Sequence, residues 1–394
     1  MISVLEAKDI IRNNTEALPP ETVSLNDAAG LTLAEEVYAD NDFPPFEQSA
    51  MDGYAFRFKD WNAEGLEIIG EVRAGAGEPI STKSKQAVRI FTGAPVPTAF
   101  DTVVRQEKVT VENKLLHIQD QDLKIGSNVR PKGSEMSKGF LALEKCTLLT
   151  PGAIGFIAGL GKKKVKAIKK PSVAIIVTGK ELQQTGKPLA YGQVYESNSY
   201  ALTAALQMTG INRISTQWVD DDIDAIVDLI KKAISSSDLI LITGGVSVGD
   251  YDFVSKALEL TGIEKLFHKI KQKPGKPLLF GKKNSTLVFG LPGNPSSVMT
   301  CFYEYVLIAI QQLMGFEKPF LRTVRLPLAC DYSKKPGLMH FLKGKQMNNE
   351  VVALDAQESY KMKSFALADC LIVLEENKTD YKKGEMVEVH LFPK

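Results

Sequence analysis

The stretch Asp238-Leu-Ile-Leu-Ile-Thr-Gly-Gly-Val-Ser-Val-Gly-Asp-Tyr-Asp252 decides the fold. Residues 239–242 are a short, wholly apolar run, the pattern of a strand buried on both faces, and such strands belong to parallel sheets. Residues 243–249 follow as a loop of small residues that includes Gly244, Gly245 and Ser247. Asp252 stands where a helix N-cap belongs, ahead of Phe253, Val254, Ala257 and Leu258 at helical spacing. Strand, glycine loop and helix together aim backbone N–H groups at an anion. Asp250 and Asp252 edge the loop, which fits an oxyanion or phosphate held with a divalent metal. A tight turn with a capping aspartate fits equally. The loop is neither a Walker A sequence nor a GxGxxG fingerprint, so it does not name its ligand.

Outward from this stretch, residues 172–314 alternate strand and helix in the pattern of an open, doubly wound α/β sheet. Strands are expected at 173–177, 211–219, 265–270 and 286–290. Asn198 is expected to cap one helix, and Asp220 to Asp222 precede another. Ligands in such sheets sit beyond the carboxyl ends of the strands. The loops 178–181, 243–252 and 291–296 fall at such ends, with the cationic turn Gln272-Lys-Pro-Gly-Lys-Pro277 beside them.

The chain opens on Ser3-x-x-Glu6, a capping box. Residues 47–138 read as a β-rich lobe in which Ser49, Asp52 and Gly53 make a polar turn and Thr92-Gly93 makes another. Thr150 and Pro151 mark a helix start. Six lysines crowd residues 162–170, which reads as a solvated hinge or edge strand, or as an attractor for anions. Residues 317–394 carry short strands suited to a small β-barrel, with no evident chemistry. The expected fold is therefore α/β plus mainly β. An elongated linking domain comprises 1–46 and 139–170, followed by the lobe 47–138, the α/β domain 171–316 and the barrel 317–394.

The bulk numbers agree. A chain of 394 residues exceeds one core. Its net charge of +1 argues against a nucleic-acid or membrane field. Its four cysteines and four histidines are scattered, which speaks for a reducing compartment and against zinc. No signal-peptide pattern and no apolar run of membrane-spanning length is present, so a cytoplasmic protein is expected.

Seven motifs, in order, resemble the molybdopterin molybdotransferase family (MoeA and the gephyrin E domain). They are Ser49-Ala-Met-Asp-Gly-Tyr-Ala55, Thr92-Gly-Ala-Pro95, Thr178-Gly with Glu181-Leu182, Ser197-Asn198, Thr243-Gly-Gly-Val-Ser-Val-Gly249, Lys273-Pro-Gly-Lys-Pro277 and Leu291-Pro-Gly-Asn-Pro295. The resemblance implies a transferase that inserts molybdate into adenylylated molybdopterin and releases AMP with the help of Mg²⁺. It implies a homodimer whose cleft lies between the α/β domain of one subunit and the β lobe of the other. Candidate further partners are the molybdopterin adenylyltransferase and apo-molybdoenzymes. Carried over onto this chain, the catalytic residues are Asp52, Thr92, Glu181, Asp252, Lys269 and Lys273. Gly244, Gly245, Ser247, Asp250, Lys276, Pro292, Asn294 and Pro295 would bind substrate, and Asp221, Asp252 and Glu181 would hold the metal. The dithiolene sulfurs that take molybdenum belong to the pterin, so no cysteine ligand is needed.

The chain departs from the family pattern at Lys180, where an aspartate is usual. It departs again at Gly133-Ser-Glu135, where Gly-Glu-Asp is usual, and at Ala99-Phe-Asp101, where Gly-Ala-Asp is usual. Two other readings stay open: a molybdopterin adenylyltransferase or pyrophosphatase-like enzyme, and a non-catalytic pterin-binding scaffold.

Overall fold

The computed structural model describes residues 1–75, 80–245, 253–319 and 321–393. They form two compact units, one of Met1–Thr22, Gly30–Ala34 and Lys166–Lys394, the other of Val23–Ala29 and Glu35–Val165.

The first unit is built on the apolar strands. Among the described residues, six strands pair in the order Ile214–Val219, Val173–Thr178, Leu239–Thr243, Thr286–Leu291, Leu279–Lys283 and Glu264–His268. The first four are parallel and the last two join antiparallel. Alternate side chains go to opposite faces of a strand, so one strand feeds two cores. Ile175, Val177, Leu239 and Leu241 pack on Leu202, Leu206, Val298 and Phe302 on one face. Ala174, Ile176, Ile240 and Ile242 pack on Ile226, Ile230, Val254 and Leu258 on the other. Helices Asn198–Met208 and Pro295–Cys301 therefore cover one face, and Ile223–Ser236 and Phe253–Leu260 cover the other. This is the doubly wound arrangement expected.

Local chemistry sets the helix starts. Ser3 Oγ accepts from Glu6 N (3.1 Å) and Glu6 Oε2 accepts from Ser3 N (3.4 Å), closing the box ahead of Val4–Asn13. Thr150 caps Pro151–Gly159 as expected. Asp222 caps Ile223–Ser236 through Asp224 N and Ala225 N. Asn198 does not cap its helix. It is the first helical residue, and the buried carboxylate of Glu196 serves the turn by accepting from Ser199 N (2.7 Å) and Ser199 Oγ (2.6 Å).

In the C-terminal part, strands Glu350–Ala353, Met339–Met347, Cys370–Leu374, Met386–Leu391 and Arg322–Pro327 are antiparallel neighbours in that order. A parallel bridge between Leu328 and Val351 brings the last strand back to the first. Leu328, Leu342, Val351, Ile372 and Val389 fill the interior, so the expected small barrel forms. Strand Gln272–Lys273 pairs with Met339–Met347 and ties the barrel to the α/β sheet.

Helix Pro295–Cys301 continues through a π-helical turn, Phe302–Val306, into Leu307–Leu313. The π turn carries Glu304, which is fully buried. Lys8 Nζ lies 2.6 Å from its Oε2 and His390 Nδ1 2.7 Å from its Oε1, while His390 Nε2 meets Glu388 at 2.8 Å. One carboxylate thus joins the first helix, the sheet-covering helix and the barrel.

The second unit holds a mixed sheet in the order Thr102–Arg105, Gly53–Phe56, Gln86–Ile90, Leu66–Val72, Leu115–Ile118 and Val109–Glu112. Strand Gly53–Phe56, flanked on both sides, is buried at every position. A Cβ on Gly53 would lie 1.8 Å from Val104 O, so only glycine permits that strand pair to close. This sheet realises the expected β-rich lobe.

Burial alone would lower the His390 pKa, but Glu304 and Glu388 outweigh it and raise it to about 9. Burial would likewise raise Glu304, but Lys8 and His390 hold it at about 2. A raised histidine stabilises the fold fully below its ordinary value of 6.5 and loses that contribution as pH climbs through about 9. His390→Ala should cost about 3–5 kcal/mol at neutral pH, because it leaves a buried carboxylate short of its partner. In urea unfolding, its deficit relative to the wild type should shrink between pH 7 and pH ~10; a pH-independent deficit would contradict this account.

Candidate active site

A cleft of about 850 Å³ opens beyond the carboxyl ends of strands Leu239–Thr243 and Thr286–Leu291. Its floor is the start of the glycine loop. Gly244 and Gly245 have φ of +89° and +60°, and added Cβ atoms would come within 2.4 Å of Thr178 O and 2.8 Å of Val254 Cγ2. Glycine is required there by its dihedrals, and at Gly244 also by the closeness of the Thr178 backbone.

The cationic turn forms one wall. Gln272 is fully buried, and its Nε2 donates to Pro274 O and Gly275 O, both at 3.1 Å. Its Oε1 accepts from the Tyr305 hydroxyl. Gly275 has φ +84°, and a Cβ there would stand 2.6 Å from Cys301 Sγ. The turn is therefore held from behind by buried groups, while Lys273 and Lys276 remain exposed on the cleft. Two ammonium groups on a rigid backbone are suited to phosphate or another oxyanion.

The Pro292–Pro295 loop forms the next wall. Asn198 Nδ2 donates to Gly293 O (2.9 Å), and Asn294 Nδ2 donates to Ser359 Oγ (3.0 Å). Glu181 adds a carboxylate, and a Cβ on Gly179 would sit 2.8 Å from its Oε2, so Gly179 leaves room for it. Asp221 Oδ2 accepts a long bond from Lys180 N (3.5 Å). Asp222 is already occupied as a helix cap, and Asp221 is the aspartate that reaches the loop carrying Glu181.

Eight residues singled out from the sequence thus line one cleft: Glu181, Gly244, Gly245, Lys273, Lys276, Pro292, Asn294 and Pro295. Asp221 adjoins it through Lys180. Lys269, half-buried with φ +79°, is not among the lining residues; its backbone bonds to Ile2 and Leu278. Ser247, Asp250 and Asp252 lie outside the described residues. Asp52 and Thr92 belong to the other compact unit, where Asp52 Oδ1 accepts from Thr92 N (2.8 Å) and Thr92 Oγ1 (2.7 Å). Those two bonds, with Arg89 nearby, lower the Asp52 pKa and keep it ionised.

Sequence reading assigned no chemistry to the C-terminal part, yet Gln357, Ser359 and Tyr360 line the cleft. A second hollow of about 590 Å³ shares these residues with Lys273 and adds Tyr332 and His340. Burial, with Lys334 and Lys273 nearby, lowers the His340 pKa to about 4, so it is neutral. The only local signal was a short polar run, 357–360, between strands.

Three family descriptions match successive parts of the chain: the MoeA N-terminal region (domain I and II) over residues 2–161, a probable molybdopterin binding domain over 174–312, and the MoeA C-terminal region (domain IV) over 325–392. The molybdopterin molybdenumtransferase of Haemophilus influenzae is 34% identical over 384 residues, 94% of either chain. The chain belongs to the MoeA family. A Staphylococcus aureus molybdopterin molybdenumtransferase is 31% identical over 400 residues, covering 99% of this chain and 95% of that one. The structure of the Pyrococcus horikoshii molybdopterin biosynthesis MoeA protein superposes with a TM-score of 0.85 at 29% identity, covering 100% and 99% of the two chains.

In this MoeA-family chain the geometry of the cationic turn rests on Gly275. Gly275→Ala should cost about 1–3 kcal/mol in chemical denaturation, from left-handed strain and the clash with Cys301. Adding Cys301→Ala should recover part of that loss. A cost under about 0.5 kcal/mol would show that the turn is not so constrained.

Proposed function

We propose that this chain is a molybdopterin molybdenumtransferase. It binds adenylylated molybdopterin, inserts molybdate into the dithiolene of the pterin, and releases AMP in the last step of molybdenum cofactor synthesis. The observation that carries the reading is the cleft itself, in which Gly244, Gly245, Lys273, Lys276 and Glu181 converge at the strand ends. Curated relatives of nearly full length bear the name of this activity.

The chemistry of the reactants suits these groups. Molybdate is a dianion and the substrate carries a pyrophosphate. Lysine ammonium groups and backbone N–H donors hold such oxygens without competing for the dithiolene. The captured metal goes to sulfurs of the pterin, so the protein needs no thiolate. Cys301, the thiol nearest the turn, is buried and its pKa is pushed up, which keeps it out of metal capture.

Mg²⁺ fits a part of this donor set. Glu181 and Asp221 are hard oxygen donors on neighbouring loops, and Asp252 is the third proposed ligand. When bound, the ion would neutralise charge on the phosphoryl oxygens. Among the described residues, no group of three or more His, Cys, Asp or Glu is placed to hold a metal. The Asp52–Thr92 pair is assigned to the same reaction, with Lys269, Ser247 and Asp250 as further candidates. A homodimer, a cytoplasmic setting, the four-part division of the chain, and transfer from an adenylyltransferase to apo-molybdoenzymes complete the proposal.

AMP release from adenylylated molybdopterin, with and without micromolar molybdate, tests it. Release should depend on molybdate and Mg²⁺, and Asp52→Ala or Lys273→Ala should each slow it about 100-fold. Release indifferent to molybdate would favour a hydrolase-like activity. Binding of the pterin nucleotide without release would favour a scaffold.

A further inference from the structure

Strand Met339–Met347 is buried from His340 through Gly344, and one residue of that buried run is a lysine. Lys343 is only 1% exposed. A buried ammonium must satisfy three N–H donors. Lys343 Nζ spends them on one loop, donating to Ala356 O (2.8 Å), Lys361 O (3.1 Å) and Glu358 O (3.3 Å). Its backbone grips the same loop, for Lys343 N donates to Gln357 Oε1 (2.9 Å) and Gln357 Nε2 donates back to Lys343 O (2.9 Å).

The loop is under strain. Ala356 has φ +62°, a conformation that alanine keeps only where its surroundings over-determine it. Its carbonyl accepts from both Lys343 Nζ and Ser364 Oγ (2.8 Å). The far side of the loop meets the cleft. Ser359 O accepts from Ser296 N (3.0 Å), Ser359 Oγ accepts from Asn294 Nδ2, and Tyr360 stands exposed beside them.

We propose that Lys343 is a positioning residue for substrate binding: its ammonium, seated among three carbonyls, fixes the 356–361 loop so that Ser359 and Tyr360 form the barrel's wall of the cleft. The inference rests on the reading of that cleft as the pterin-nucleotide site. Lys343→Met keeps an unbranched side chain one atom shorter and removes the donors, so the loop loses its anchor while the barrel stays nearly filled.

Amide hydrogen exchange and steady-state kinetics on the full-length protein test this. In Lys343→Met, exchange of residues 356–361 should rise about tenfold, KM for adenylylated molybdopterin should rise about tenfold, and kcat should fall less than about threefold. A lysine that served stability alone would reduce the folded, active fraction and so lower kcat at constant KM. That result, or unchanged exchange, would overturn the proposal. Ser364→Ala removes the second donor to Ala356 O and a longer bond to Lys361 O (3.3 Å) on the same loop, and should give the same signs at about two- to threefold. It decides the question if Lys343→Met does not fold. If the wild type releases no AMP, the transferase reading fails on its own, and titration with AMP replaces KM. Loosened exchange with weakened AMP binding then supports the positioning role, and unchanged AMP affinity overturns it.

Discussion

Strand Leu239–Thr243 is buried along its whole length and paired on both sides, so its backbone can meet a ligand only at its ends. The same holds for its neighbours Val173–Thr178 and Thr286–Leu291. Parallel pairing brings the carboxyl ends of all three to one edge. Whatever follows them in sequence must turn sharply there, in a space already crowded by the next strand's carbonyls. Gly244 is the plainest result, since a single Cβ would collide with Thr178 O. The position of the cleft is thus a consequence of burying the sheet on both faces.

The walls of the cleft follow a second rule. Each is an irregular segment whose backbone polar groups are satisfied from behind by a buried side chain. Gln272 serves the cationic turn, Asn198 serves the Pro292–Pro295 loop, and Lys343 serves the loop of the barrel. A buried donor with carbonyls on one loop fixes that loop without spending any group that faces the ligand. The exposed lysines and hydroxyls are then free to act on an anion. The Glu304 cluster belongs to the same economy of buried charge, but it joins secondary-structure elements instead of shaping the cleft.

Much of this is legible in the sequence. The apolar run before Thr243, the Ser3 box, the Thr150 cap and the Lys273–Pro277 turn are local patterns with local causes. They place the sheet and several helix starts, and the family resemblance supplies the eight lining residues. What stayed hidden is tertiary. Ser359 and Tyr360 reach the cleft on a loop that Lys343, some fifteen residues earlier, anchors through three carbonyls. That same lysine interrupts the apolar pattern of Met339–Met347, so the longest strand of the barrel carries no clear strand signal in its sequence. Asn198 looked like a cap because asparagine usually is one, yet its amide serves a loop brought near by the sheet. Of the residues carried over from the family, Asp52, Thr92, Lys269 and Asp221 are not lining residues of this cleft, while Ser247, Asp250 and Asp252 lie outside the described residues; for all seven the sequence alone speaks.

The account turns on one claim, that the cleft handles the oxyanion. Anomalous scattering at the molybdenum edge from crystals soaked in molybdate tests it most directly. The account predicts a molybdenum peak inside the cleft, within reach of Lys273 or Lys276 and of the Ser359 wall, and its loss in Lys273→Ala. A peak elsewhere on the protein with the cleft empty would contradict it.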